Sequence, residues 1–374
     1  MESKEEDIPK MENPKIEVSA TAILVCAARA VATNKFIRKA LERNDHSMIQ
    51  DEIVKRYYTP KLDDSTVHEN LAYYDPYSFI ILDCEGSTRT LENFVEHQTV
   101  PPVKQDLSHL SFQEQLILWK EVVAAFGIQT VLRRTKLIDS LITNHVINGD
   151  IEQIVVFGAG MDMRAHRMKL AASVTVYELD MPKVIELKKN EVDHASKVIE
   201  PISQSTIKYI GIDLSTKKWI DNLLELGFDA NKPTFWIMEG LLMYLKPSAV
   251  DDVFQGISQL SCRGSALVAH ICKMLNMPFG TRSFNNLLNL IHSSSSDPTK
   301  LIAKNAPYFT SVCHYTFQDI GTLFSAEDVE DNKAKPSPTP KNVVNNIETT
   351  EQQPIEDDFS WYAFAQQFQH RQQS

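Results

Sequence analysis

The chain has 374 residues, of which 43% are hydrophobic and 23% charged, enough to bury a full core as one large domain or two small ones. Its formal net charge is −11, and most of this lies in the first fifteen residues and in residues 326–358, where nine acids accompany three bases. No basic stripe with interleaved aromatics occurs, which argues against a nucleic-acid partner. No apolar run approaches about 20 residues and no secretory signal is apparent, so we expect no membrane partner.

The helical extension comes first. Apolar residues recur at helical spacing from Val18 to Arg43, with Arg29 in the middle, which indicates one packed helix or two rather than a membrane segment. A second helical pattern runs from Leu116 to Ile147, and we expect it to break near Gly127. Residues 17–130 are therefore predicted to form a helical extension or lid.

An α/β pattern follows in residues 131–325, where short apolar runs alternate with helical stretches. The predicted strands are Gln153–Phe157, Ser173–Leu179, Thr206–Gly211, Thr234–Met238 and Ala266–Ile271, and the predicted helices between them are Pro182–Val192, Thr216–Leu226 and Pro247–Leu260. This alternation predicts a doubly wound, mostly parallel sheet with helices on both faces.

The remaining segments have weaker patterns. A further helix is predicted at Arg282–Ile291, whereas residues 1–16 and the acidic insert 326–358 are predicted to be disordered. The last stretch, 359–374, regains aromatic residues and is expected to dock on the core.

Five cysteines lack the paired close spacing of a zinc site or a disulfide framework: Cys26, Cys84, Cys262, Cys272 and Cys313. Such a distribution is typical of reduced, mostly buried thiols. We therefore expect a cytoplasmic protein.

The segment Ile151–Arg164 contains an apolar strand that ends in Gly158-Ala159-Gly160, and the next predicted strand ends in Glu178 and Asp180. Glycines at a tight strand-to-helix turn let a ligand approach the backbone, and an acid about 20 residues further on can bind two ribose hydroxyls. The pair predicts an adenosine-binding sheet, and so NAD, FAD or S-adenosylmethionine as cofactor. The alternative is an ordinary strand-turn-helix without a ligand.

The residues after the turn favour S-adenosylmethionine over NAD. A dinucleotide fingerprint needs a small residue three positions after its second glycine, and Met163 stands there. Asp162 beside the turn would repel a pyrophosphate, but it suits a cofactor with a sulfonium, an ammonium and no phosphate.

The next two predicted strands also deliver acids to the carboxyl edge of the sheet, where ligands bind in open α/β folds. The third strand leads into Asp213 and Leu214, and the fourth into Glu239. Asp180 could instead cap the following helix, and Asp213 could orient only its own turn. Glu239 follows an apolar run, so its carboxylate needs an arginine or an amino group as partner.

The residues after the fourth predicted strand also indicate which kind of acceptor atom the reaction uses. The segment Glu239–Tyr244 is not the (Asp/Asn)-Pro-Pro-(Tyr/Phe) loop that accepts hydrogen bonds from exocyclic amines, and no acid cluster for a metal is apparent. We therefore expect metal-free transfer of the methyl group of the cofactor to an oxygen.

A carboxylate acceptor needs a cation to position it, and the candidates are Arg29, Arg164 and Arg167. Salt bridges on the helix surface explain Arg164 and Arg167 equally well. A hydroxyl acceptor needs a base, and His166 is the nearest residue, although a structural role explains it too; no catalytic residue is assigned.

Taken together, these segments resemble the leucine carboxyl methyltransferase superfamily, most closely its bacterial-type branch of S-adenosylmethionine-dependent methyltransferases. The matching pieces, among them VVFGAGMDMRAHRM, are Thr21–Ala30, Asp75–Leu82, Arg133–Asp139, Val155–Met168, Val176–Lys188, Asp213–Trp219 and Gly227–Leu245. The resemblance implies a class I methyltransferase (Rossmann-like) fold with a seven-stranded, mostly parallel sheet, and S-adenosyl-L-methionine as cofactor.

The resemblance also implies a set of cofactor-binding residues. They are Arg134, Gly158, Gly160, Asp180, Asp213, Leu214 and Glu239. Asp213 and Leu214 would frame the adenine, and Glu239 would meet the amino group. Arg134, or Arg133 with a shift of one residue, would hold the carboxylate of the cofactor.

Three functions remain open from the sequence. The first is an O-methyltransferase that acts on a carboxylate of a small molecule or of a peptide terminus. The second is a binding or regulatory protein that keeps the pocket without turnover. The third is a nicotinamide-dependent oxidoreductase, which would prefer NADH to S-adenosylhomocysteine.

Overall fold

The computed structural model describes residues 18–98, 103–273, 291–325 and 360–367. The helices in this part of the chain are α1 (Val18–Glu42), α2 (Asp51–Tyr57), α3 (Tyr77–Leu82), α4 (Glu85–Gln98), α5 (Phe112–Ala125), α6 (Ile128–Ile142), α7 (Arg164–Arg167), α8 (Pro182–Ala195), α9 (Lys218–Glu225), α10 (Pro247–Leu260), α11 (Pro298–Asn305) and α12 (Phe317–Ser325). The strands are β1 (Gln153–Phe157), β2 (Thr175–Asp180), β3 (Thr206–Gly211), β4 (Thr234–Met238), β5 (Ala266–Cys272), β6 (Phe309–Tyr315) and β7 (Ser360–Gln367).

The described strands form one seven-stranded sheet in the order β3-β2-β1-β4-β5-β7-β6. The first five strands of this order pair in parallel, and β7 runs antiparallel to both β5 and β6. The predicted doubly wound, mostly parallel seven-stranded sheet is therefore confirmed.

Two apolar cores lie on opposite faces of the sheet. Along β1, Ile154 and Val156 pack into the core beneath the N-terminal helices, whereas Val155 and Phe157 pack into the core beneath α9 and α10. Because successive side chains of a strand point to opposite faces, a strand covered on both sides needs a continuous apolar run. This is why the central strands were predictable, three of them with the bounds that the structure has.

The N-terminal helices also follow the predicted pattern. The stretch with Arg29 at its centre forms a single helix, α1, which packs against α3, α5 and α6. The second pattern breaks at Gly127, whose φ of 77° places it in the left-handed region that favours glycine. The axes of α5 and α6 consequently differ by 90°.

By length and composition, α1 is the one described helix that could cross a membrane alone, and α5 with α6 would qualify only as a bent pair. Most of α1 is buried inside the protein, including Ala27, Ala30 and Val31. It therefore serves as a core helix, as predicted. The cytoplasmic location stays a prediction.

The final two strands were not predicted. Sequence reasoning expected 359–374 to dock on the core, and Ser360–Gln367 instead lies inside the sheet, between β5 and β6. The predicted tail 1–16, the insert 326–358 and all but the last residue of the predicted helix 282–291 fall outside the described residues.

Candidate functional site

A cavity of about 510 Å³ lies at the carboxyl edge of the sheet, between the strand ends and the N-terminal helices. It is centred where the strand order reverses, between β1 and β4, which is where ligands bind in such sheets. Its lining includes Ala22, Arg29, Phe126, Arg134, Gly158, Ala159, Gly160, Asp162, Asp180, Glu239, Gly240, Tyr244, His270, Phe317 and Tyr362.

Most of the predicted cofactor-binding residues meet in this cavity: Arg134, Gly158, Gly160, Asp180 and Glu239. Asp213 and Leu214, at the end of β3, are not part of its lining. The Asp213 carboxylate is exposed and accepts a hydrogen bond from the Ser215 N–H at 2.8 Å, the turn-orienting role left open above. Leu214 is buried in the core beneath α9 and α10. Their contact with an adenine stays a prediction.

The glycine turn after β1 brings backbone into the cavity. Gly158 and Gly160 have φ values of 63° and 44°. A Cβ at position 158 would lie 2.9 Å from the Leu241 Cδ1, so this position demands glycine on both conformational and steric grounds. The turn thus forms a cradle with room for a ligand against its main chain.

Asp180 ties the glycine turn to the end of β2. Its Oδ2 accepts a hydrogen bond from the Gly160 N–H at 2.7 Å, and its Oδ1 accepts one from the Met181 N–H at 2.7 Å. Neither bond caps the first turn of α8, so the capping alternative is not what the structure shows. Each carboxylate oxygen has a second acceptor position, which suits ribose hydroxyls. Burial raises the pKa of Asp180.

Glu239, directly after β4, is bound by arginines from three helices in the described part of the chain. Its Oε1 lies 2.8 Å from the Arg134 Nε and 3.4 Å from the Arg29 Nη2, and its Oε2 lies 2.5 Å from the Arg164 Nη1. Burial alone would raise the pKa of Glu239, but these guanidinium groups hold it well below its usual range. The sequence predicted an arginine or an amino group as partner of Glu239, and the structure has three arginines there.

Arg134 also contacts His270 at the end of β5, with 3.3 Å between its Nη1 and the His270 Nδ1. A guanidinium only donates hydrogen bonds, so Nδ1 must be the acceptor and the ring proton sits on Nε2. Burial, assisted by Arg134, lowers the pKa of His270 to about 3, which keeps the ring neutral. Glu239 and His270 together fix the direction of the Arg134 guanidinium.

Of the two arginines of α7, Arg164 is buried and the side chain of Arg167 is 7% exposed, so neither lies on a helix surface. Arg164 bonds Asp162 and Asp139, each at 2.6 Å, in addition to Glu239. Arg167 lies 2.8 Å from Asp139. Burial opposes the ionisation of Asp162, but Arg164 and Arg29 lower its pKa to about 2. The charge of Asp162 is therefore balanced from within the protein, which weakens the predicted repulsion of a pyrophosphate by this residue alone.

His166, the candidate base, does not line the cavity. Its Nε2 lies 3.2 Å from the Tyr209 Oη, and its ring packs 5.5 Å from that of Tyr77. Burial and the nearby Lys188 lower its pKa to about 4. The structure supports the structural role for this histidine.

Sequence reasoning missed several residues of the lining, of which His270, Phe317 and Tyr362 are the most telling. His270 lies one residue before the end of a predicted strand, so an inventory of that strand's end would have found it. Tyr362 stacks on His270 with 5.0 Å between ring centroids. No local signal marks it, because its strand follows a long polar segment.

Comparison with known proteins gives a family for part of the chain. Residues 87–258 match the family described as leucine carboxyl methyltransferase. Over 134 residues, 36% of this chain, the sequence is 42% identical to a "Putative S-adenosyl-L-methionine-dependent methyltransferase" of Mycolicibacterium paratuberculosis. A protein of the same description from Mycobacterium marinum is 41% identical over 132 residues, 35% of this chain. The matched region spans 42% of the length of each relative.

The solved structures that match the chain are more distant in sequence. A "putative methyltransferase" from Thermobifida fusca is 12% identical with a TM-score of 0.43, and the match covers 67% of this chain and 89% of that one. A magnesium protoporphyrin IX methyltransferase from Synechocystis with bound SAH is 10% identical with a TM-score of 0.37, over 67% of this chain and 86% of that one.

Proposed function

We propose, because residues 87–258 match the leucine carboxyl methyltransferase family, that the chain is an S-adenosyl-L-methionine-dependent O-methyltransferase whose acceptor is a carboxylate. The observation that carries the proposal is the cavity at the strand-order reversal, with its glycine cradle, its ribose-type acid and its arginines. The relatives named above support the cofactor class.

The charges of the cavity fit this cofactor. Its described charged lining consists of Arg29, Arg134, Asp162, Asp180 and Glu239, and Arg164, outside the lining, bonds Asp162 and Glu239, so these six groups carry no formal net charge. S-adenosylmethionine carries a sulfonium, an ammonium and one carboxylate, an excess of one positive charge, whereas a pyrophosphate cofactor is anionic. Separate groups of both signs suit S-adenosylmethionine, which also carries charges of both signs, better than an anionic pyrophosphate.

Each end of the cofactor has a matching group in the cavity. Asp180 would bind the ribose hydroxyls, and Gly158 and Gly160, which line the cavity without side chains of their own, would let the ligand approach the main chain. Arg134, oriented by Glu239 and His270, would hold the carboxylate.

The cavity offers cations but lacks a strong base among its described residues. When bound, S-adenosylmethionine supplies an electrophilic methyl group: an acceptor oxygen forms the new O–CH3 bond with its own lone pair while the C–S electron pair leaves with sulfur as a thioether. Asp162 and Glu239 are poor bases because their pKa values are lowered, and the His270 Nδ1 is engaged by Arg134. Asp180, whose pKa is raised, is assigned to the ribose hydroxyls and not to the acceptor. A carboxylate acceptor needs no proton removed, which fits this set, and Arg29 can orient it.

Calorimetric titration with S-adenosylhomocysteine tests the cofactor. We expect micromolar binding by the wild type and a loss of tenfold or more, about 1.4 kcal/mol, in Asp180→Ala, because the variant removes the ribose acid. Asp193→Ala is the matched control, an exposed aspartate on α8, and should bind as the wild type does. Absence of binding by the folded wild type, or tighter binding of NADH, overturns the proposal.

Transfer from methyl-tritiated S-adenosylmethionine to a panel of carboxylic acids tests the reaction. A carboxyl methyl ester releases volatile methanol in mild base, so base-labile counts are the expected result. Base-stable counts would place the methyl group on another kind of acceptor. Cofactor binding without any transfer across the panel would support the binding or regulatory alternative.

A further inference from the structure

We infer that one wall of the cavity is an acceptor subsite that takes the uncharged, ring-sized body of a small carboxylic acid. The wall consists of Val123–Ile128, Thr130, Val131 and Phe317, all of them uncharged, and is called the apolar wall below. The inference rests on the proposed function, since it names the chemistry of the second ligand in the same site.

The charged groups of the described lining meet at the strand ends. Arg29 donates to the main-chain oxygen of Met161 at 3.2 Å, and Arg134 is bonded to Glu239, so both cations are held at the strand ends with the three acids. The apolar wall contributes no charged side chain to the described lining. A ligand that spans the cavity therefore meets ions at one end and hydrocarbon at the other.

The shape of the apolar wall comes from the corner between α5 and α6. Gly127 takes a left-handed conformation, and the 90° change of helix direction turns the last residues of α5 and the first of α6 towards the same space. Gly127 itself is exposed, so the corner forms a rim of the cavity rather than its floor.

Phe317 is held in the apolar wall by an arginine outside the cavity. The Arg133 guanidinium lies over the ring, 3.9 Å from its centroid, and its Nη1 donates to the main-chain oxygen of Phe317 at 3.0 Å. Arg133 is not part of the lining, so its charge lies behind the ring. The cavity meets an aromatic surface whose position is fixed from the other side.

The separation of charged strand ends from the apolar wall indicates where each of the two ligands binds. The ribose acid and the glycine cradle place the cofactor along the strand ends, which leaves the apolar wall for the acceptor body. A charged group there would lose water and find only the Thr130 hydroxyl among the side chains of the wall, whereas an apolar body gains from burial. The acceptor is therefore a carboxylic acid whose carboxylate lies towards Arg29 and whose remainder is apolar.

Two probes of equal shape test this assignment. 2-Naphthoic acid has one carboxylate and an apolar ring, and 2,6-naphthalenedicarboxylic acid places a second carboxylate at the far end. Each is titrated into the wild type with and without saturating S-adenosylhomocysteine. We expect 2-naphthoic acid to bind at least tenfold more tightly than the diacid.

Variants of the apolar wall locate the effect. Phe317→Ala should weaken 2-naphthoic acid fivefold or more and leave S-adenosylhomocysteine within twofold of the wild type. Leu323→Ala, a half-buried residue of the same helix outside the lining, is the matched control and should change neither ligand. Val131→Lys should tighten the diacid, because a cation then meets its second carboxylate. Val131 is half-buried on α6, where a lysine can reach solvent if no ligand is present.

The results separate this inference from the proposed function. A protein that binds S-adenosylhomocysteine but binds the two probes equally, or binds neither, overturns the acceptor subsite and leaves the cofactor proposal intact. A protein that prefers 2-naphthoic acid to the diacid but does not bind S-adenosylhomocysteine supports the acceptor subsite and overturns the cofactor proposal. If Phe317→Ala fails to fold, the response of Val131→Lys to the diacid decides alone.

Discussion

Arg133 and Arg134 are sequence neighbours on α6, yet they serve different parts of the molecule. Successive residues of a helix point about 100° apart, so the Arg134 guanidinium lines the cavity and bonds Glu239, while the Arg133 guanidinium lies outside the cavity and bonds the main chain of Phe317. The rotation of α6 about its own axis, relative to the sheet, thus decides which arginine faces the cavity. Exchanging either for lysine would lose the fork that bonds two partners at once.

At the same scale, His166 makes stability depend on pH. Its pKa is about 4 in the folded protein, against an ordinary value of about 6.5. The folded ring stays neutral where the unfolded ring binds a proton, so the stabilising contribution is complete above pH 6.5 and is lost as pH falls towards 4. Between pH 7 and pH 5 the unfolding free energy of the wild type should fall by about 2 kcal/mol more than that of His166→Gln.

Urea denaturation of both proteins at pH 5, 6 and 7 measures this difference. Burial raises the pKa of Glu178 to about 7 despite its ion pair with Lys188, and this carboxyl shifts stability in the opposite direction in both proteins. Only the comparison between them therefore isolates His166. Parallel pH profiles would show that the folded histidine is accessible to protons.

At the scale of elements, the corner between α5 and α6 depends on backbone conformation more than on space. A Cβ at Gly127 would have the Thr130 Oγ1 as its nearest neighbour, at 3.7 Å. There is room for a side chain, so a substitution is penalised only through its left-handed φ. The corner sets the shape of the apolar wall, and its integrity matters for the acceptor as well as for stability.

Substitutions at Gly127 should follow conformational preference. We expect Gly127→Ala to lower the unfolding free energy by about 1–2 kcal/mol and Gly127→Asn to lower it less, because asparagine tolerates this region. Gly86→Ala, in the regular helix α4 with only the Cys84 Sγ at 3.9 Å, is the control and should be neutral or stabilising by about 0.5–1 kcal/mol. Equal losses for alanine and asparagine in urea titrations would point to crowding instead of strain.

At the scale of the whole molecule, the two ends of the described chain complete the same cavity. The helices α1, α5 and α6 cover one face of the sheet and supply Arg29, Phe126 and Arg134, while β7 supplies Tyr362. This last strand lies between β5 and β6, so Ala363 pairs with Ala269 on one side and with His314 on the other. The predicted extension and the predicted C-terminal segment are thus both parts of the site.

Removal of residues 359–374 should therefore abolish cooperative folding. The truncation removes the strand that joins β6 to the rest of the described sheet, exposes the edge of β5 that faces away from β4, and takes Tyr362 from the cavity. Differential scanning calorimetry should show no single transition, and a second truncation after Gln367, which keeps the strand whole, is the comparison. A cooperative transition with unchanged S-adenosylhomocysteine affinity in the shorter protein would contradict the placement of β7.

Local patterns determined the central strands and the residues at their ends. A strand covered on both faces must be a continuous apolar run, and its carboxyl end must turn, so Gly158, Asp180 and Glu239 could be placed at one edge of the sheet from the sequence. The break between α5 and α6 was equally local, because it depends on a single glycine.

Only the tertiary structure decided what these residues meet. Arg29 and Glu239 are 210 positions apart, and nothing in either neighbourhood specifies the other. The same holds for β7, whose place in the sheet depends on antiparallel pairing across a long intervening segment, and for the helix phase that separates Arg133 from Arg134. Such contacts follow from the packing of distant segments around a common core, which no window of the sequence contains.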